Sequence, residues 1–255
     1  MVRVVHAGDF HLDSAFGALT PEQARQRRME SRRTPERLVE WANDHGADLL
    51  LLSGDLFDSD SPYGDTAPLL AQALGCFRGQ AVIAPGNHDP LTPDGPYART
   101  RWSDNVHIFT EDRMQTITFP DLNCAVHGAA FTAPEQAESL LAGFAAPADD
   151  RVHLGLLHGE IDPAEHRYDP LQKEEIAASG LAYLALGHIH KRTEPLRFEN
   201  TAGLECGGGM LPVPAVVVDG DVDVCCENFL VQPNEGCGLT VAVLNGTLRT
   251  DLLRW

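Results

Sequence analysis

Short apolar runs alternate with helical patterns over the first half of the chain. These runs, which are short enough to be buried strands, cover residues 2–7, 47–52 and 80–84. Between the first two runs, Thr20 precedes Pro21 and Thr34 precedes Pro35, and each pair predicts a helix that starts with a capping residue and a proline. Gly46 predicts the end of the second helix. Strands that alternate with helices predict β-α-β units and a parallel sheet.

The second half of the chain has a different pattern. Short strands without long helices between them are predicted from about 105 to 127, and a helix over residues 133–142. Two further strands, at 152–157 and 181–186, should be separated by a helix that starts at Asp169-Pro170. The remainder is rich in valine and glycine, and its alternating segments predict an antiparallel sheet portion. These segments cover residues 214–218, 222–226 and 238–244.

Composition places the chain among globular proteins. Of its 255 residues, 43% are hydrophobic and 22% are charged. No apolar run approaches the roughly 20 residues that a membrane-spanning helix needs. The first residues read as a buried strand and not as a signal peptide, so we expect a cytoplasmic protein. Since no repeat or linker interrupts the pattern, we expect one domain over residues 1–255.

The formal net charge of −18 argues against a protein that coats DNA non-specifically, because such proteins present a basic face. It does not argue against phosphate chemistry, since bound divalent metals would reverse the local field. One basic cluster is predicted to be a solvated helix face, with a phosphate-steering patch as the alternative. It consists of Arg25, Arg27, Arg28, Arg32, Arg33 and Arg37.

The six cysteines form no CxxC pair, so we expect reduced thiols, with a structural zinc site as the alternative. They are Cys76, Cys124, Cys206, Cys225, Cys226 and Cys237.

Five short polar clusters each follow an apolar strand. They are Gly8-Asp9-Phe10-His11, Gly54-Asp55-Leu56-Phe57-Asp58, Gly86-Asn87-His88-Asp89, His158-Gly159-Glu160 and Gly187-His188-Ile189-His190. Ligands of open α/β sheets gather at the carboxyl ends of the strands, so these clusters should meet at one edge. The glycines that precede four of them allow sharp turns that bring side chains close together.

The side chains in these clusters suit a pair of metal ions. Aspartate and asparagine oxygens with imidazole nitrogens favour Mn²⁺, Fe²⁺ or Zn²⁺. Two metals roughly 3.5–4 Å apart need a shared anionic ligand, and Asp55 is the natural candidate. Such a pair binds a phosphate, activates a bridging water and stabilises the charge that develops during in-line attack.

The motifs D-x-H, GDxxD, GNHD, H and GHxH, in this order, resemble the calcineurin-like metallophosphoesterase superfamily. Three finer stretches resemble its Mre11/SbcD-type DNA repair exonucleases: Gly54-Asp55-Leu56-Phe57-Asp58, residues 11–16 and the run Gly86-Asn87-His88-Asp89-Pro90-Leu91. Residues 173–191 also resemble bacterial members of the YhaO-like kind. The resemblance covers about residues 2–193 and fades over 194–255. It implies an α/β fold, a four-layer α/β/β/α sandwich with two mixed β-sheets.

The resemblance also implies a division of the ligands between two divalent metal sites. One metal would take Asp9, His11, Asp55 and His190, and the other would take Asp55, Asn87, His158 and His188. His88 would act above the phosphate as general acid or transition-state stabiliser, oriented by Asp58. Asp89 would support the loop, with a phosphate-side role as the alternative.

Side chains outside these motifs receive no catalytic role from the sequence. We expect the remaining histidines to be core or surface residues; they are His6, His45, His107, His127, His153 and His166. Phe16, Tyr97 and Trp102 are predicted to pack in the core or rim, with a nucleotide-stacking groove as the alternative.

The function that this resemblance implies is a Mn²⁺-dependent phosphodiesterase, a DNA exonuclease of DNA repair that attacks with a metal-bridging hydroxide. The implied partners are DNA, an SMC-like coiled-coil ATPase and a second copy in a homodimer, and no membrane is expected. We expect no large DNA-capping domain after the motif-bearing core of residues 1–193. Two alternatives remain: a phosphoesterase for small nucleotides or other esters, and a catalytically silent scaffold of the same fold.

Overall fold

Two six-stranded sheets lie face to face in a computed structural model of the protein. The structure describes residues 2–189 and, beyond them, the backbone of four strands. Those strands are β11 (Leu196–Phe198), β12 (Thr201–Glu205), β13 (Asp223–Asn228) and β14 (Thr240–Asn245). His190 and the predicted segment 214–218 lie outside the described residues, whereas β13 and β14 agree with the strands predicted nearby.

The helices and strands of residues 2–189 alternate over the first half of the chain, as predicted. The helices are α1 (Pro21–Ser31), α2 (Thr34–Asp44), α3 (Thr66–Gly75), α4 (Pro96–Arg99) and α5 (Lys173–Ala178). The strands are β1 (Val4–Ala7), β2 (Leu49–Leu52), β3 (Gln80–Ile83), β4 (Val106–Ile108), β5 (Gln115–Phe119), β6 (Cys124–Gly128), β7 (Val152–His158), β8 (Glu160–Ile161), β9 (Pro170–Leu171) and β10 (Tyr183–Gly187).

Both large sheets are mixed. The first has the strand order β13-β14-β1-β2-β3-β4, in which β1 to β4 are parallel and β14 runs antiparallel to β1. The second has the order β11-β12-β10-β7-β6-β5, in which β5 and β11 are antiparallel to their neighbours. The predicted pair of mixed sheets is therefore confirmed, including the antiparallel strands near the end of the sequence.

Three apolar cores separate four layers. Between the sheets, Leu49 and Val82 of the first pack with residues such as Val126 and Leu156 of the second. Helices α2 and α3 cover the outer face of the first sheet, and the outer face of the second sheet packs against α5 and the loop that contains Leu141. Parallel strands buried on both faces read as continuous apolar runs, which is why Leu49–Leu52 consists of leucine alone.

The helix starts follow their sequence cues closely. Thr20 caps α1, with a reciprocal capping box to Gln23, as its position before Pro21 predicts. Helix α2 begins at Thr34 itself, with Arg33 as its capping residue, one position earlier than predicted. Gly46 follows α2 with a φ of +64°, the left-handed conformation that glycine adopts at helix ends.

The predicted helix over residues 133–142 is wrong, because contacts with a distant segment replace helical hydrogen bonds there. Gln136 forms a β-bridge with Tyr168, and the amide of Leu140 donates to the Asp169 carboxylate over 2.6 Å. The helix predicted from Asp169-Pro170 begins later, at Lys173, since Pro170 pairs as part of β9.

No helix in the part of the chain that the structure describes has the length and apolar character needed to cross a membrane.

A chain of hydrogen bonds centred on two buried histidines crosses the outer face of the second sheet. His127 Nδ1 contacts the Thr116 hydroxyl at 2.9 Å, and His127 Nε2 contacts His153 Nδ1 at 2.9 Å. His153 Nε2 lies 3.0 Å from an Asp149 oxygen. Burial lowers the pKa of His127 to about 4, with smaller contributions from His153 and Arg151. A neutral His127 is therefore built into the fold.

Acid should weaken the contribution that the neutral His127 makes to the stability of the fold. Because the pKa of His127 is lower in the folded state than its ordinary value of about 6.5, its contribution is present above that value and is lost as pH falls towards 4. In EDTA-treated protein, we expect the difference in unfolding free energy between wild type and His127→Gln to shrink by about 1–2 kcal/mol between pH 7 and pH 5. Urea denaturation at the two pH values measures this, and an unchanged difference would refute it.

Candidate metal centre

The carboxyl ends of β1, β2, β3, β7 and β10 converge at one edge of the sandwich, where they bring the predicted ligands together. Ligand atoms of Asp9, His11 and Asp55 lie within 4.8 Å of one another, as do those of Asp55, His158 and His188. The Asn87 side-chain oxygen joins the second group; it lies 2.9 Å from His158 Nε2 and 3.0 Å from His188 Nδ1. Six of the seven predicted ligands thus meet, and His190 lies outside the described residues.

Asp55 stands between the two groups. Its Oδ2 atom lies 3.7 Å from His11 Nε2 and 3.4 Å from His158 Nε2, while Oδ1 accepts the amide of His88 over 2.9 Å. One carboxylate oxygen is therefore approached by imidazoles from both sides. That is the position of a ligand shared between two metals.

Sharp turns carry the predicted ligands that follow β1 and β2 to this point. Asp9, His11 and Asp55 all have left-handed backbone conformations, with φ between 42° and 53°. Non-glycine residues adopt this conformation rarely and at a cost in backbone strain. Two backbone hydrogen bonds hold the turns together: Asp9 donates to the carbonyl of Gly54 and His11 to that of Asp55, both over 2.9 Å. The fold thus maintains strained backbone at the proposed ligands.

The two sheets also approach closely here. A Cβ atom on Gly187 would lie 2.0 Å from the Ser53 carbonyl oxygen, so only glycine fits between β10 and the end of β2.

Hydrogen bonds orient two of the histidines towards Asp55. His158 Nδ1 lies 2.8 Å from the Ser53 carbonyl oxygen, and His11 Nδ1 lies 3.1 Å from Asp58 Oδ1. Because a carbonyl or carboxylate accepts the Nδ1 proton, each ring directs Nε2 towards Asp55 as its candidate metal-binding atom. The second contact corrects the sequence expectation that the Asp58 carboxylate orients His88.

His88 is instead held by a backbone atom. Its Nδ1 atom lies 3.1 Å from the carbonyl oxygen of Asp58, and its ring meets that of His11 edge-on at a centroid distance of 4.8 Å. His88 is exposed, whereas His11 is buried. It therefore stands at the mouth of the centre, with Nε2 as the ring nitrogen left for a substrate.

Asp89 is fully buried, and its carboxylate ties the second and third ligand loops together. It accepts hydrogen bonds from the amides of Asp55, Leu56, Phe57 and Gly86 and from the hydroxyl of Tyr97. Burial and the charge of Asp55 raise the pKa of Asp89 to about 6, against the opposing effect of these donors. Asp89 thus supports the loops, and the buried Tyr97 packs beneath them instead of lining a stacking groove.

The electrostatics of the centre favour cations. Burial disfavours the charged form of Asp55, but His158, His11 and the His88 amide outweigh it and hold the pKa of Asp55 well below its usual range. Burial also disfavours a charged His158, yet Asp55 and Asp9 raise the pKa of His158 to about 9. Buried carboxylates that draw protons onto neighbouring imidazoles would bind a divalent cation in place of those protons. The donor set therefore fits a pair of divalent metals.

Tyr168 was missed by the sequence analysis. Its ring lies against that of His188 at a centroid distance of 4.7 Å, and the Arg167 guanidinium lies 5.4 Å from the centre of the Tyr168 ring. No motif marks this loop residue, and only its contact with a predicted ligand reveals it.

The arginine cluster is largely a helix surface. Arg32 is its structural member, since it donates to Asp13 over 2.8 Å and to Asp65 over 3.0 Å and so anchors the loop that follows His11. Arg25 and Arg27 lie on the solvent side of α1, where Arg27 pairs with Glu30.

Two of the six cysteines have described side chains, and both are free thiols. Cys76 is exposed and Cys124 is buried, and burial raises the pKa of the Cys124 thiol to about 12.

Comparison with known proteins places this geometry in context. A family model for calcineurin-like phosphoesterases matches residues 2–192. The chain is 31% identical over 199 residues to the uncharacterized metallophosphoesterase YhaO of Bacillus subtilis (strain 168), a match that covers 74% of this chain and 48% of that protein. It is 23% identical over 205 residues to the DNA double-strand break repair protein Mre11 of Methanopyrus kandleri, covering 74% of this chain and 44% of the relative.

A third relative matches a shorter part of the chain. The chain is 32% identical over 94 residues to the SbcD component of the nuclease SbcCD of Rhodobacter capsulatus, covering 35% of this chain and 22% of that protein. The chain spans about half the length of YhaO and Mre11, the longer matches.

Proposed function

The chain belongs to the calcineurin-like phosphoesterase family, and we propose that it is a dinuclear-metal-dependent phosphodiesterase that degrades DNA as an exonuclease. The family hydrolyses phosphate esters at a dinuclear metal centre. The observation that carries the proposal is the position of Asp55, whose Oδ2 faces His11 and His158 from opposite ligand groups. The choice of DNA is supported by the similarity to proteins named for double-strand break repair and nuclease action.

The residues would divide the work as follows. Asp9, His11, Asp55 and His190 would hold one metal, and Asp55, Asn87, His158 and His188 would hold the other. Mn²⁺ suits this mixture of oxygen and imidazole ligands, and Fe²⁺ or Zn²⁺ would also fit. When bound, the two metals supply Lewis-acid chemistry that activates water and neutralises charge on the phosphate.

His88 would complete the reaction from the mouth of the centre. The Asp58 carbonyl accepts the Nδ1 proton of His88, so Nε2 is the atom that would face the substrate phosphate. From there it would stabilise the transition state or give a proton to the leaving oxygen. The carboxylate of Asp58 would have a second role, because it orients the proposed ligand His11.

A second candidate substrate is a small nucleotide or another simple phosphate ester. The net charge of −18 favours it, because a long DNA strand would meet unfavourable electrostatics away from the metals. A DNA substrate would then require a partner that supplies positive charge, for which we propose an SMC-like coiled-coil ATPase, with a homodimer as the assembly of this chain. We further propose a cytoplasmic location and a single domain over residues 1–255.

The experiment compares substrates and two histidine variants. Purified protein with Mn²⁺ or with EDTA is given linear DNA, a bis-aryl phosphodiester and small nucleotides. We expect Mn²⁺-dependent release of nucleotides from DNA, and a fall of about 100-fold or more in His88→Ala with unchanged Mn²⁺ stoichiometry. His45→Ala is the control, because His45 is also exposed but directly follows the last residue of α2 and is not a predicted ligand.

The outcomes separate the candidates. Cleavage of small esters with DNA left intact, even with the ATPase added, would replace the exonuclease with the second candidate. Failure to bind Mn²⁺, Fe²⁺ or Zn²⁺, together with no turnover, would overturn both and favour a silent scaffold.

A further inference from the structure

A buried histidine links the two sheets beneath the metal centre. His6 lies on β1, in the first sheet, and its Nδ1 atom lies 2.8 Å from the hydroxyl of Tyr183 on β10, in the second sheet. Its Nε2 atom lies 3.0 Å from the hydroxyl of Ser53, which directly follows β2. His6 and Ser53 are fully buried, and Tyr183 is nearly so. A polar connection therefore crosses the apolar core that separates the sheets.

One arrangement of the hydroxyl and imidazole protons satisfies the hydrogen bonds of this connection. The Ser53 hydroxyl donates to the Ala7 carbonyl over 3.4 Å, so its oxygen can accept the Nε2 proton of His6. His6 Nδ1 then accepts the hydroxyl proton of Tyr183. This arrangement requires a neutral His6, and burial lowers the pKa of His6 to about 3. In this arrangement His6 carries its proton on Nε2.

Ser53 joins this connection to a metal ligand. Its hydroxyl contacts His6, while its backbone carbonyl oxygen lies 2.8 Å from Nδ1 of His158. Ser53 has little room to move, because a Cβ on Gly8 would lie 2.3 Å from its hydroxyl and one on Gly187 would lie 2.0 Å from its carbonyl. Anything that fixes the Ser53 side chain therefore also fixes the carbonyl that aims His158.

We propose that His6 and Tyr183 are positioning residues, which hold Ser53 so that its carbonyl aims His158 at the second metal. This inference rests on the proposed function, since it assumes that His158 binds a metal. Groups behind a metal ligand set its orientation and basicity, and their loss typically lowers metal affinity about 10–100-fold.

The same chain provides a matched comparison for a purely structural role. His127 is also buried on a strand, and its Nδ1 atom also contacts a hydroxyl, that of Thr116, at 2.9 Å. Its Nε2 atom, however, contacts His153 and not a residue that touches the metal centre. Removal of either hydroxyl leaves a buried imidazole nitrogen without that partner, but only the Tyr183 hydroxyl belongs to a connection that reaches His158.

Metal titration distinguishes the two roles. Mn²⁺ is titrated into metal-free wild type, Tyr183→Phe and Thr116→Val by calorimetry, and electron paramagnetic resonance reports each Mn²⁺ site. We expect Tyr183→Phe to weaken one of the two sites about 10-fold and Thr116→Val to leave both unchanged. Tyr183→Phe should lower the melting temperature of the metal-free protein at least as much as Thr116→Val, because water can replace the hydroxyl of the exposed Thr116. Ser53→Ala, which breaks the connection at its other end, should weaken the same site as Tyr183→Phe.

A His158→Gln background tests whether the effect passes through the ligand. There, Tyr183→Phe should cause no further loss of Mn²⁺ affinity. Equal Mn²⁺ affinity in wild type, Tyr183→Phe and Ser53→Ala would overturn this inference alone, as would an undiminished effect in the His158→Gln background. Absence of Mn²⁺ binding by the wild type would overturn the proposed function and this inference with it.

Discussion

Asp55→Asn is expected to lose phosphodiesterase activity almost completely, by at least about 1,000-fold. The expected loss exceeds the 10–100-fold effect of residues behind the ligands, because Asp55 would bind both metals directly. Its Oδ2 atom faces His11 and His158 together, and an amide in that position removes the negative charge that two cations would share. The measurement is the rate of bis-aryl phosphodiester hydrolysis in saturating Mn²⁺, with Mn²⁺ stoichiometry measured on the same samples.

A control lies at the opposite end of the same strand. Asp48 precedes β2 and accepts the backbone amide of Arg3 over 2.8 Å. Asp48→Asn removes the same charge from the protein, but far from the ligands, so it should retain full activity and full stoichiometry. Retention of two bound Mn²⁺ ions and of wild-type turnover by Asp55→Asn would show that Asp55 is not the shared ligand.

The convergence of the candidate ligands could be predicted because it depends on local rules. Asp9, Asp55 and Asn87 each follow an apolar run, and the ends of parallel strands meet at one edge whatever the detailed packing. The start of α1 could be predicted for the same reason, since the capping box of Thr20 and Gln23 acts within one helical turn. Residues 133–142 show where such rules fail: that segment has a helical pattern, but its backbone pairs with the loop around Tyr168 and Asp169. These contacts with residues far away in the sequence outweigh the local helix propensity of the segment.

The contacts of supporting side chains were harder to predict than the convergence of the candidate ligands. Asp58 was expected to aim His88 with its carboxylate, but the turn places that carboxylate on His11 and turns the backbone carbonyl towards His88. The motif identifies both residues and does not specify which atom makes the contact. Similarly, no neighbour in sequence marks His6, because Ser53 reaches it only when β1 pairs with β2, and Tyr183 only when the two sheets pack.

Asp89→Asn should destabilise the metal-free protein by about 3–5 kcal/mol. Asp89 Oδ1 accepts two amides, and Oδ2 accepts two amides and the Tyr97 hydroxyl. An asparagine replaces one of these oxygens with a donor, which leaves two or three buried donors without an acceptor. Each such group costs about 1–3 kcal/mol. Urea denaturation in EDTA at pH 7.5, above the pKa of about 6 that burial and Asp55 give Asp89, measures the change.

Tyr97→Phe provides the graded comparison that identifies the cause. It removes one of the five donors and leaves the carboxylate and the four amides in place, so its cost should be about 1 kcal/mol. The two ligand loops would also be less well held in Asp89→Asn, because the amides of Asp55 and Gly86 lose a common acceptor, and Mn²⁺ affinity should fall with stability. If Asp89→Asn costs no more than Tyr97→Phe, the carboxylate is not what joins the loops, and the strained turn at Asp55 must be held by the backbone hydrogen bonds from β1 instead.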